Sequence, residues 1–193
     1  MNTINFLIAI RLGVLLGMVS VLSACALGDG AAAPKQLDLG AGVVASKSTL
    51  SELPPIAVPA ANAASLLTET MVVWRVGDQG QPQSYMTYRW VAPPARLVTQ
   101  RIVDRLSLQG AVLQQNLGGD LPQLRLNLQR FEQTFSSGGT SSQAQLSLQA
   151  VLMRGSTVVG QRLIHIRVPA VTQDAPGGAS ALRAATDQAA EQV

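Results

Sequence analysis

Side chains able to do chemistry are few in this chain, and they are scattered. One cysteine, Cys25, and one histidine, His165, stand among 193 residues. A thiol can serve as nucleophile, metal ligand or attachment point, and an imidazole as a general base. A single Cys excludes an intramolecular disulfide, and together with a single His it excludes Cys- or His-rich zinc cages. The 11 Asp and Glu side chains sit singly in the predicted strands, so no acid–base couple stands out. No Gly-x-Ser-x-Gly elbow occurs. His165 shares a predicted strand face with Leu163 and Arg167, opposite Ile164 and Ile166, which reads as a solvated position. A Ser–Lys pair would need Lys35 or Lys47, both in weakly structured segments. Gly118-Gly119 and Gly138-Gly139 fall in turns between strands, so neither is a phosphate loop opening a helix. These residues predict a binding or assembly role and no enzyme, with no metal and no cofactor.

Cys25 is informative through its position. Arg11 is followed by the apolar run Leu12 to Leu22, about the length of a signal-peptide core and short for a bilayer-spanning helix. Small residues then lead into the thiol, and Leu22-Ser23-Ala24-Cys25 resembles a bacterial lipobox. There a peptidase cuts before the Cys once its thiol carries a diacylglycerol. The resemblance implies a leader over 1–24, covalent lipid on Cys25 and a lipidated tether over 25–35. Acyl chains contribute about 0.8 kcal/mol per buried methylene, and several of them hold a protein on a membrane. By lipoprotein sorting rules, Ala26 favours the outer membrane. The alternative is an uncleaved anchor helix over 4–22. Both place the remainder outside the cytoplasm.

The elements that must follow are predominantly β. Aromatics make up 4% of the chain and charged residues 13%, so the core must be aliphatic. The net charge of +3 is scattered and makes no basic stripe, which argues against nucleic acid as a partner. Gln36–Leu39 and Ile56–Pro59 read as short strands around a 41–53 loop, with Pro54-Pro55 introducing the second. One turn of helix is expected within 60–68. Thr70–Val76 and Ser84–Val91 read as a hairpin about Asp78-Gln-Gly-Gln-Pro82. Pro93-Pro94 opens a helix in which Leu97, Val98, Ile102, Val103 and Leu106 recur at helical spacing, with Arg96, Arg101, Asp104 and Arg105 between them. A strand over 111–115 and a turn at Asn116–Asp120 come next. Leu124, Leu126 and Leu128 then alternate with polar residues, but the apolar phase moves to Phe131 and Phe135, predicting a bulge near Arg130. Two further alternating strands, over 143–153 and 158–168, complete an antiparallel run. Residues 169–178 read as a linker and 179–193 as an Ala-rich helix. The expected fold class is α+β, an antiparallel sheet with helices packed on one face.

With these elements in place, Tyr85, Trp90, Pro93 and Pro94 acquire meaning as a Tyr-x-x-x-x-Trp-x-x-Pro-Pro block. With the helix after it, the strand Met71–Arg75 and the run Leu126–Glu132, this block resembles the ABC-type transport auxiliary lipoproteins, the paraquat-inducible protein C-like family. The resemblance covers roughly Leu37 to the C-terminus and implies one domain over 36–193. It implies a non-enzymatic subunit beside an MCE-type (mammalian cell entry) ABC system, which moves phospholipid or other hydrophobic molecules between bacterial membranes. The implied partners are an MCE-domain protein and the permease–ATPase complex, with the chain facing the periplasm. Phospholipid binding and homo-oligomerisation stay open at this point. The alternatives are a lipid-carrying periplasmic protein and a structural outer-membrane lipoprotein or assembly factor. Trp90, Pro93 and Pro94 are either a docking surface for a partner or the fixed corner between strand and helix.

Overall fold

A computed structural model describes residues 32–42, 53–113 and 121–193. The leader, the lipobox with Cys25, most of the tether, most of the 41–53 loop including Lys47, the end of the 111–115 strand and the Asn116–Asp120 turn lie outside the described residues. All described elements belong to the unit Pro34–Val193. They are β1 (Lys35–Leu37), β2 (Leu53–Ala57), β3 (Asn62–Ala63), a 3₁₀ turn (Ser65–Leu67), β4 (Met71–Val76), β5 (Gln83–Trp90), α1 (Pro94–Leu106), β6 (Gly110–Leu113), β7 (Gln123–Phe135), β8 (Ser142–Arg154), β9 (Thr157–Pro169) and α2 (Ala175–Gln192).

The long strands form where period-two alternation is cleanest. β7, β8 and β9 make an antiparallel meander whose rows can be read across it, Leu128 beside Leu148 beside Ile164, then Phe131 beside Leu146 beside Ile166. All six are buried and form the floor of the core. The pairing slips between Leu128 and Arg130, leaving Gln129 as the extra residue. This is the bulge that the phase shift predicts. It turns Phe131 onto the same face as Leu128 and sends Glu132 to the other.

The rest of the sheet is mixed where an antiparallel one was expected. β4 and β5 form the expected hairpin. Yet β4 runs parallel to the second half of β7, β2 and β3 run parallel to its first half, β1 is parallel to β5, and β6 is parallel to β2. The reason is economy of one long strand: β7 has 13 residues, enough to pair short strands at both ends of one edge. Pro54 and Pro55 lie inside β2, where the register with β6 is irregular between Leu53 and Ile56, so their missing N–H groups break no ladder. The expected helical turn near 60–68 is the 3₁₀ turn, preceded by β3.

Both helices pack together and against the apolar face of the sheet, as expected. α1 buries Val98, Ile102 and Val103, and α2 buries Leu182, Ala185 and Ala189. Alanine loses no rotamer freedom on burial and lets helix and sheet approach closely. α2 begins at Ala175, inside the stretch expected to be a linker. Asp174 caps it by accepting a hydrogen bond from Gly177 N–H at 2.8 Å, and the proline after it is tolerated in a first turn. The two glycines are needed for proximity: a Cβ on Gly178 would lie 2.2 Å from Gln133 Oε1, and one on Gly177 would lie 2.2 Å from the Thr172 carbonyl.

Candidate functional site

Each residue singled out in the sequence has a definite place. Trp90 is 2% exposed and stacks at a tilt on Phe131, ring centroids 5.5 Å apart. It also pairs with Leu37 of β1, and its backbone N–H donates to the Thr70 carbonyl at 2.8 Å. Pro93 is the N-cap of α1, and Pro94, buried, occupies its first turn. Trp90 and Pro94 are thus both buried where β5 turns into α1. Pro93 alone of the three reaches the surface, edging a groove with Pro59, Thr68 and Arg96. His165 is exposed, and its Nδ1 lies 2.9 Å from Ser147 Oγ across the β8–β9 ladder. Lys35 holds its ammonium 6.0 Å from the Tyr88 ring centroid, a cation–π distance. Among the described residues no group of His, Cys, Asp and Glu is placed to hold a metal ion.

Three polar clusters organise the domain, and none was visible in the sequence. On the face away from the helices, buried Glu132 receives both Arg75 (Nη2 to Oε2, 2.7 Å) and Arg130 Nε. Arg130 donates on to Gln145 at 2.6 Å, and Gln145 donates to Asp78 at 2.7 Å. That hydrogen bond from Gln145 holds the Asp78 carboxyl below its usual range; desolvation opposes it, and the guanidinium groups of Arg167, Arg130 and Arg75 add to it in smaller steps. The cluster fastens the β4–β5 turn to the long meander.

At the start of α2 a relay joins three strands to the segment that leads into the helix. Tyr85 Oη donates to Gln133 Oε1 at 2.8 Å, Gln133 Nε2 donates to Ser142 Oγ at 2.7 Å, and Ser142 Oγ donates to Gln173 Oε1 at 2.7 Å. Burial, then the charge of Asp174 and the Tyr88 phenol, push the Tyr85 hydroxyl up to about 12. The folded state thus keeps its proton where the unfolded chain, near 10, has lost it. Stability should be fully present below pH 10 and decline between pH 10 and 12. Urea unfolding at pH 9 and pH 11 should show that decline, and Tyr85→Phe should flatten it while costing about 1 kcal/mol at pH 7.

The third cluster lies between the helices. Arg101, 6% exposed, pairs with Asp187 of α2 through Nε and through Nη2 at 2.9 Å, and its Nη1 donates to the carbonyls of Leu39, Gly40 and Ala41 at 2.8, 3.0 and 3.2 Å. Gly40 takes φ +71°, so the chain turns beneath this guanidinium in a conformation that favours glycine.

One further feature is apolar. Where the β2–β6 ribbon and the end of α1 meet the β8–β9 hairpin, a cleft of about 290 Å³ opens, lined by residues such as Ile56, Leu106, Val112, Leu152 and Val159. Its walls come from five elements, which is why no stretch of sequence announces it.

A curled mixed sheet, backed on one face by two packed helices and tied to them by buried polar relays, defines a class of α+β domain. Among the crystal structures that share that fold are two. One is a Xanthomonas campestris protein of the DUF330 family, 21% identical, covering 76% of this chain and 88% of that one with a TM-score of 0.63. The other is an uncharacterised protein, 16% identical, covering 83% and 95% with a TM-score of 0.66. Comparison with curated proteins finds no match. The chain belongs to the family of ABC-type transport auxiliary lipoprotein components, whose family model matches residues 36–193. This associates it with an ABC transport system at the cell envelope. Among the described residues no helix is long and apolar enough to cross a membrane.

Proposed function

We propose that this chain is the non-enzymatic auxiliary lipoprotein of an MCE-type ABC transport system moving phospholipid or other hydrophobic molecules between bacterial membranes. The observation that carries the reading is the family match over 36–193, immediately downstream of a lipobox-like Leu22-Ser23-Ala24-Cys25. In this reading residues 1–24 are a leader, covalent lipid on Cys25 is the only added group, and 25–35 tether the domain. The anchor sits in the outer membrane and the domain faces the periplasm, where it meets the MCE-domain protein and, through it, the permease and ATPase. Pro93 and its groove are the part of the corner placed to touch a partner. A second reading, a domain that itself carries lipid, is favoured by the apolar cleft.

Affinity purification from membranes tests the assignment. The native chain should recover an MCE-domain protein or permease from the membrane fraction. Cys25→Ser should leave the washed outer membrane and recover several-fold less partner. Native protein that recovers neither component would overturn the reading in favour of a structural lipoprotein.

A further inference from the structure

We propose that the cleft between the β2–β6 ribbon and the β8–β9 hairpin binds a single acyl chain, with Arg154 holding an anionic head at its mouth. The proposal deepens the transport reading above and rests on it for lipid as the source of the chain. Its basis is the shape and chemistry of the cleft. Ile56, Leu106, Val112, Leu152 and Val159 present hydrocarbon from both sides. An apolar cavity gives water no partners and takes apolar guests instead. The volume of about 290 Å³ lies at the small end for ligand pockets, which run from roughly 300 to 1,000 Å³, a size that suits part of one hydrocarbon chain.

The rim supplies the polarity. Arg154, in the last position of β8, is the only charged side chain among the described residues lining the cleft, and no described carboxylate lines it. Gln109 adds a second polar group. Val159 is presented there by a slip in the β8–β9 pairing, Leu152 opposite Gly160 but Met153 opposite Val158, which leaves it as the extra residue and 58% exposed. An amphiphile with a cationic head would meet Arg154 as a like charge, so the recognised chemistry is one hydrocarbon chain with an anionic head.

Photocrosslinking in membranes tests this with the full chain. Cells expressing it are given a diazirine-bearing fatty acid or, separately, phosphatidylglycerol with a diazirine in one acyl chain, then irradiated, and labelled peptides are mapped. Label should concentrate on peptides containing Leu106–Val112 and Leu152–Val159. The arm that labels more strongly identifies free fatty acid or phospholipid as the source. Ala111→Trp, an exposed position on the cleft wall, should abolish labelling there. Arg154→Glu should lower labelling by the anionic probes about fivefold and leave an uncharged alkyl diazirine unaffected. That contrast decides the matter even if the tryptophan variant fails to fold. Label spread evenly over the surface, or unchanged by Arg154→Glu, would overturn the proposal. Because partner recovery is measured separately, an unlabelled cleft with an intact complex would sink the acyl site and leave the transport reading standing.

Discussion

Trp90→Ala should lower the stability of the domain by about 4 kcal/mol and its Tm by roughly 10 °C. Such a loss follows from position. The indole is 2% exposed, rests on Phe131 of β7, and belongs to a strand end that contacts β1 and β4. Removing it leaves a cavity bounded by strands that cannot collapse without breaking their ladders. Trp90→Phe, which keeps a ring against Phe131, should lose about half as much. Thermal melts monitored by far-UV circular dichroism decide the point. Partner recovery at a temperature where the alanine variant is still folded should be near native, because Trp90 offers no surface to a partner. A variant that melts within 2 °C of the native protein yet recovers no partner would return Trp90 to the docking surface.

Arg101→Met should cost about 3 kcal/mol, read as a shift in the urea midpoint. The methionine fills much of the space but leaves the Asp187 carboxylate without its partner and three carbonyls of the 39–41 turn without a donor. Asp187 is 36% exposed, so water recovers part of that loss and holds the cost to the lower end for a broken ion pair. Arg101→Lys should recover little, since an ammonium cannot present a two-pronged face to the carboxylate and donors to the turn at once. Asp187→Leu combined with Arg101→Met should be less damaging than the sum of the two changes. Strict additivity would show that the pair is not coupled.

Arg101 also shows where reading a sequence stops. The α1 stripe of Val98, Ile102 and Val103 announces a buried face, and the helix lies where the stripe puts it. Arg101 falls beside that stripe by spacing and so reads as solvent-facing, yet it is buried because a second helix and the 39–41 turn close over it. The meander was legible for a related reason. One-sided burial imposes alternation, and even the bulge after Leu128 left its mark in the shift to Phe131. The parallel pairings of β1, β2, β3 and β4 left none, because parallel partners lie far apart in the chain and are selected by the free edges of β5, β6 and β7. Pro176-Gly177-Gly178 looked like a linker because the same residues that loosen a loop also permit a first helical turn pressed against Gln133. The candidate cleft escaped for the reason that Arg101 did, as a product of assembly.

The use of β7 as common partner has a kinetic consequence. β2, β3 and β4 each depend on partners made about 60 residues later in synthesis, whereas β7, β8 and β9 are joined by short connections, 136–141 and 155–156. Closing the long loops costs entropy before any contact repays it. The meander should therefore order first and act as the template onto which the N-terminal half condenses. Pulse-labelled amide exchange during refolding should show protection at Leu128 and Leu148 before protection at Val72 and Val73. Until β7 is made, β2, β3 and β4 each lack the edge that joins them to the meander, and that side of each stays open to whatever chaperone or neighbouring chain reaches it first.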